Sequence, residues 1–172
     1  MTGDSVDDGF DSTLSSFVLG GTFTVDAWKA DVNLYLTGME EASSIDFELL
    51  GGYQIYGGDG FKLYLSGGYM NMSVEYSGNR ETTTALLYGL DFNYSLAENI
   101  SLQGGYSLGT SGKLYYEIGN NDESSGISTY QFQLNYLLSD TTTIFLNYRS
   151  DYYKEPYQIK WSTLGAGVLM QF

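Results

Sequence analysis

The chain has 172 residues, with 7 Lys and Arg against 21 Asp and Glu, one Pro, and neither Cys nor His. A formal charge of −14 speaks against a nucleic-acid partner, because phosphate binding needs clustered cations to displace counterions. The missing Cys and His exclude disulfides, thiolate or imidazole metal sites, and acid–base chemistry on His.

In chain order, residues 1–21 read as an acidic N-terminal lead, partly disordered by its charge, and 22–172 as a single folded unit. No basic n-region precedes an apolar stretch at the start, so the expectation is a mature chain whose signal peptide has been removed. A cytoplasmic protein starts the same way, so this point decides nothing alone. Phe17, Leu19, Phe23 and Val25 alternate with Val18, Gly20, Thr22 and Thr24, but the phase slips by one residue before Trp28. Three readings fit: a ninth strand, a long first strand with a bulge, or a periplasmic lead. Loop parity favours the long first strand, beginning near Thr22, since a ninth strand would put the two termini on opposite rims.

From there the period is two almost throughout. Strands are expected near 28–37, 44–56, 61–76, 82–96, 99–118, 128–138, 142–153 and 159–172. In the fourth, Leu86, Tyr88, Leu90, Phe92, Tyr94 and Leu96 share one face and Ala85, Leu87, Gly89, Asp91, Asn93 and Ser95 the other. Alternation survives Gly-Thr-Ser-Gly at 109–112, so 99–118 reads as one strand. Longer polar loops at 38–43, 77–81, 119–126 and 154–158 alternate with short turns at 57–60, 97–98 and 139–141. This is the layout of an eight-stranded, antiparallel, up-and-down meander with loops on one rim and turns on the other.

Volume tells which face points out. Eight strands enclose a lumen only just wide enough for side chains, and the Leu, Ile, Phe and Tyr of the apolar face exceed that space. The opposite face, with Gly52, Ser66, Gly68, Gly89, Gly105, Gln131, Gln133 and Asn135, fits it. An outward apolar face implies lipid, and a closed barrel satisfies its backbone there, so the expected fold is an all-β transmembrane β-barrel. Lys29, Asp31, Asp46, Glu48, Asp91, Lys113, Arg149 and Asp151 take the small-residue face and form the expected lumen charge network. Trp28, Tyr53, Tyr94 and Tyr136 near the short turns, with Tyr130 and Tyr152 toward the loops, are the expected interface aromatics. A soluble, lipocalin-like binding barrel with its apolar face inward is the competing architecture.

The chain ends Gly165-Ala166-Gly167-Val168-Leu169-Met170-Gln171-Phe172. Gly167, Met170 and Phe172 resemble the C-terminal assembly signal of bacterial outer-membrane barrels, although Gly165 stands where that family prefers a polar residue. In size the chain is similar to the small eight-stranded group that includes the OmpA transmembrane domain, OmpX and OmpW. The resemblance implies a monomer in the bacterial outer membrane, in contact with its lipids and inserted by the barrel assembly machinery. It also implies short turns and both termini in the periplasm, with long loops outside.

Outer-membrane barrel enzymes of similar appearance use a His, which this chain lacks, so no catalytic residue is expected. The paired acids Asp46 and Glu48 read as part of the ion network before they read as an acid–base pair. Acidic runs at Asn120, Asn121, Asp122 and Glu123, and at Asp4, Asp7, Asp8 and Asp11, lack the oxygen spacing of an EF-hand. No metal or cofactor is expected. Two functional expectations remain: a non-enzymatic structural or surface-interaction barrel acting through its loops, and a narrow, porin-like channel or pocket for small or hydrophobic solutes, as in OmpW-like barrels. The apolar lumen residues Leu50, Tyr64, Met70, Leu87, Phe145 and Leu169 favour interior packing over a conduit.

Overall fold

A computed structural model of the chain describes residues 10–38, 42–76, 79–116, 123–153 and 159–171. Nine strands run through them: β1 (Phe10–Val25), β2 (Trp28–Gly38), β3 (Ala42–Gly58), β4 (Phe61–Tyr76), β5 (Asn79–Ala97), β6 (Ile100–Tyr116), β7 (Glu123–Ser139), β8 (Thr142–Tyr153) and β9 (Ile159–Gln171). They close into a barrel in chain order. Consecutive strands pair antiparallel, and β1 pairs with β9 in parallel.

The expected strand count of eight is therefore corrected to nine, and the expected boundary at Thr22 falls inside β1. The phase slip before Trp28 is the turn itself. Val25 and Trp28 face each other across Asp26-Ala27, and partners across a two-residue turn point to the same side of the sheet, so alternation shifts by one. Asp26 takes φ 52° where hairpins usually place Gly or Asn, so no turn signal marks the position. The parity objection also falls: the start of β1 lies on the long-loop rim and the end of β9 on the short-turn rim. The next short turn carries its signal openly, with Asp59 and Gly60 at φ 50° and 78° between Gly58 and Phe61. β6 is a single strand through 109–112, as expected, with a register shift between Gly109 and Gly112.

Paired residues followed around the wall from Thr22 through Asp31, Leu50, Gly68, Leu87, Gly109, Ile127, Tyr153 and Ile159 return to β1 at Phe10, twelve residues away. With a rise of about 3.3 Å per residue and strands about 4.8 Å apart, this offset tilts the strands by roughly 40–45° from the barrel axis.

The barrel is inside out compared with a water-soluble one. Among the described residues, 29 large apolar side chains are exposed, against 11 buried hydrophobic ones. The exposed set forms a belt: Phe17 to Val25 on β1, Ile45 to Tyr53 on β3, Leu86 to Leu96 on β5, Phe132 to Leu138 on β7 and Leu164 to Met170 on β9. On the tilted strands the belt is about 25 Å tall. Among the described residues no charged side chain faces outward within it. Toward the long-loop rim the outward positions turn polar, with Ser15, Asn71, Ser73, Thr84, Ser128, Ser150 and Ser162.

Candidate functional site

The lumen holds two tiers of charge. Alternation puts Arg149 and Asp151 of β8, Glu48 of β3 and Tyr35 of β2 on the inner face, and the barrel register brings them to one level. Arg149 is 3% exposed. Its Nη1 donates to Glu48 Oε2 at 3.1 Å and its Nε to Asp151 Oδ2 at 2.9 Å. The guanidinium lies 4.9 Å from the centre of the Tyr35 ring, and Nη2 lies 2.9 Å from Met70 Sδ. Both carboxylates have further donors: the Asn33 amide reaches Glu48 Oε1 at 3.3 Å and the Thr129 hydroxyl reaches Asp151 Oδ1 at 2.6 Å. Because β8 lies four strands from β3 in one direction and from β4 in the other, Arg149 crosses the full width of the lumen. A buried charge of this kind is tolerable only when fully paired, and here it is.

The second tier lies roughly 12 Å closer to the short-turn rim, by the rise along the tilted strands. Lys29 Nζ is 2.9 Å from Asp31 Oδ2 and 3.5 Å from Asp91 Oδ2, and 4.9 Å from the centre of the Tyr64 ring. Thr22 donates to Asp31 Oδ1 at 2.7 Å. Asp91 is buried, with its carboxylate over Gly105, where a Cβ would collide with it. Neither of its oxygens accepts a hydrogen bond among the described residues. Together the two tiers hold two cations and five carboxylates, the fifth being Asp46, which is half-buried and has an unpartnered Oδ1.

On the short-turn side of Arg149 lie two adjoining cavities of about 190 and 40 Å³, with Gln103 and Leu169 common to both; the smaller lies between the tiers, against Tyr35, Asn33 and Lys29, and the larger between the Lys29 tier and the rim. The larger reaches the turn residues Glu98 and Asn99, and the smaller reaches Asp91, Lys29 and the amides of Gln131 and Gln133. The lumen is thus crossed at the Arg149 level and roomy below it.

Of the expected network, the structure joins Glu48, Arg149 and Asp151 in one tier and Lys29, Asp31 and Asp91 in the other. Asp46 shares their face without an ion pair among the described residues, and the Lys113 side chain lies outside those described. Glu48 is committed to Arg149 and Asn33, so the Asp46–Glu48 pair is not assembled as two free carboxyls. Tyr35, Asn33, Thr22 and Thr129 were not singled out from the sequence. Parity with Lys29 and Asp31 along β2 is the signal that finds Asn33 and Tyr35. Alternation assigns Met70 to lumen packing, and its sulfur contact with Arg149 arises only in the closed barrel.

Gly167 sits on the inner face of β9 opposite Phe145 and Val18, and Met170 points outward; Phe172 lies outside the described residues. Trp28, Tyr53, Tyr94 and Tyr136 are exposed at the short-turn end of the belt, with Trp28 and Tyr53 edge to face at 4.9 Å. Tyr130 stands at the other end, 6.1 Å from Tyr148. Tyr152 lies beyond it, past Ser150, where the wall is already polar. The acidic runs at 4–8 and 120–122 lie outside the described residues. Among the described residues, no three acidic, His or Cys side chains group to hold a metal. No protein-family model and no curated protein matches the chain.

Proposed function

We propose that the chain is an integral outer-membrane β-barrel, monomeric and non-enzymatic, whose lumen is closed at the Arg149 tier and whose long loops carry a structural or surface-interaction role. The observation that carries this reading is the apolar belt. Its height of about 25 Å matches the lipid-facing band of membrane barrels, and aromatic residues mark both of its edges. In water, so large an exposed apolar surface would drive aggregation. Insertion by the barrel assembly machinery fits the outward Met170 and inward Gly167 of β9.

The reading differs from the small outer-membrane barrels in one respect. With nine strands, the two ends of the described chain fall on opposite faces of the bilayer, the end of β9 with the short turns in the periplasm and the start of β1 outside. The purified chain should be folded and monomeric in detergent micelles or vesicles, and should aggregate when the detergent is removed. A chain that stays monomeric in plain buffer overturns the proposal in favour of a soluble binding barrel. In intact cells, an epitope tag placed before β1 should be labelled from outside and a tag after β9 should not.

The channel reading draws support from the cavities on the short-turn side of Arg149. Against it stands Arg149, which crosses the lumen and is bonded on opposite walls. Stable unitary conductance in a planar bilayer would reverse that preference.

A further inference from the structure

We propose that the short-turn half of the lumen is a binding site for a small ammonium-bearing solute, with Asp91 as its charged anchor. Asp91 is a carboxylate whose side chain is 6% exposed, it lines the smaller cavity, and neither oxygen accepts a hydrogen bond among the described residues. Burying a charged acceptor without donors is costly, and its ion pair with Lys29 is long at 3.5 Å. Lys29 at 3.5 Å and the neighbouring Ser66 hydroxyl leave both oxygens without a close donor, so the further partner this site would take is a donor carrying positive charge. Asp31, Asp91 and Glu98 outnumber Lys29 along the cavities, so the field has the same sign.

Lys29 shows which cation the site is shaped for. Its ammonium sits between two carboxylates and against the Tyr64 ring, the combination of ion pairing and cation–π contact that suits an alkylammonium. The side-chain amides of Gln103, Gln131 and Gln133 line the same cavity and are the further acceptors available to a free ammonium beside Asp91. A chelated metal ion is the poorer fit, because no group of three metal-ligating side chains exists among the described residues. Access is from the short-turn rim, past Glu98 and Asn99. The inference rests on the lumen geometry and not on the membrane reading, and it goes beyond the structural role proposed above.

The test titrates the refolded barrel in detergent micelles with methylammonium, putrescine or magnesium chloride at constant ionic strength, followed by calorimetry. The wild type should bind the amines. Asp91→Asn, which keeps the volume over Gly105, should weaken binding about tenfold or more, as loss of a partly buried charge partner requires. Lys29→Met, which removes the tethered competitor, should tighten binding by a similar factor. A purely structural ion cluster predicts the reverse for Lys29→Met: lower stability with no gain in amine binding. That result, equal binding by wild type and Asp91→Asn, or binding of magnesium alone overturns the proposal. Far-UV circular dichroism of each variant checks that the barrel is intact, and the Lys29→Met arm remains decisive if Asp91→Asn fails to fold.

Discussion

The Arg149 tier and the Lys29 tier are built from the same chemistry and have opposite character. Arg149 engages Glu48, Asp151, Tyr35 and Met70 at once, and both of its carboxylate partners have a second donor. Lys29 reaches one carboxylate closely and another loosely, and it borders open space. Five donors in a planar fork let one Arg satisfy partners on opposite walls of a narrow lumen, whereas a single ammonium on a flexible stem cannot. One tier ties the barrel together; the other leaves charge in reserve.

The contrast breaks most visibly at Arg149. Arg149→Met strands Glu48 and Asp151 without their counter-charge and should cost about 3–5 kcal/mol, read as a drop in the urea midpoint of the barrel in micelles. Gly105→Ala places a methyl group against the Asp91 carboxylate and should cost about 1–3 kcal/mol by overpacking. A value at the low end would show that the Lys29 tier yields, as a loose cluster beside a cavity should. Met70→Leu keeps the packing but loses the sulfur contact, so a cost below about 1.5 kcal/mol is expected in the same assay. Lys29→Met should cost less than Arg149→Met, since the ion pair it gives up with the buried Asp91 is already long at 3.5 Å and Asp31 keeps the Thr22 hydroxyl. If Lys29→Met proves as damaging as Arg149→Met, the two tiers do not differ in the way their contacts indicate.

Much of this was legible in the sequence where the period of two is clean. From Trp28 onward the expected strands match the observed ones to within a few residues at each end, and Lys29, Asp91 and Arg149 fall on the inner face that alternation assigns. β1 is hidden in the sequence for a local reason: Asp26-Ala27 carries none of the Gly or Asn that announces a tight hairpin, so the turn has the same pattern as a bulge. Parity then adds to the ambiguity, because an even strand number follows from antiparallel closure and this barrel closes in parallel. The partners of Arg149 were illegible for a different reason. Glu48 and Met70 are 101 and 79 residues away along the chain, and only closure brings those walls together.

The sequence by itself determined which side chains lie on which face of the wall and that the apolar face is the outer one, because alternation and volume depend on residue identity alone. Only the tertiary structure decided how many strands close the ring, which rim each end of the chain approaches, and which of the inward charges meet. Those properties follow from register and offset around the barrel. The pairing choices behind them are made between segments far apart in the chain, where no local pattern records them.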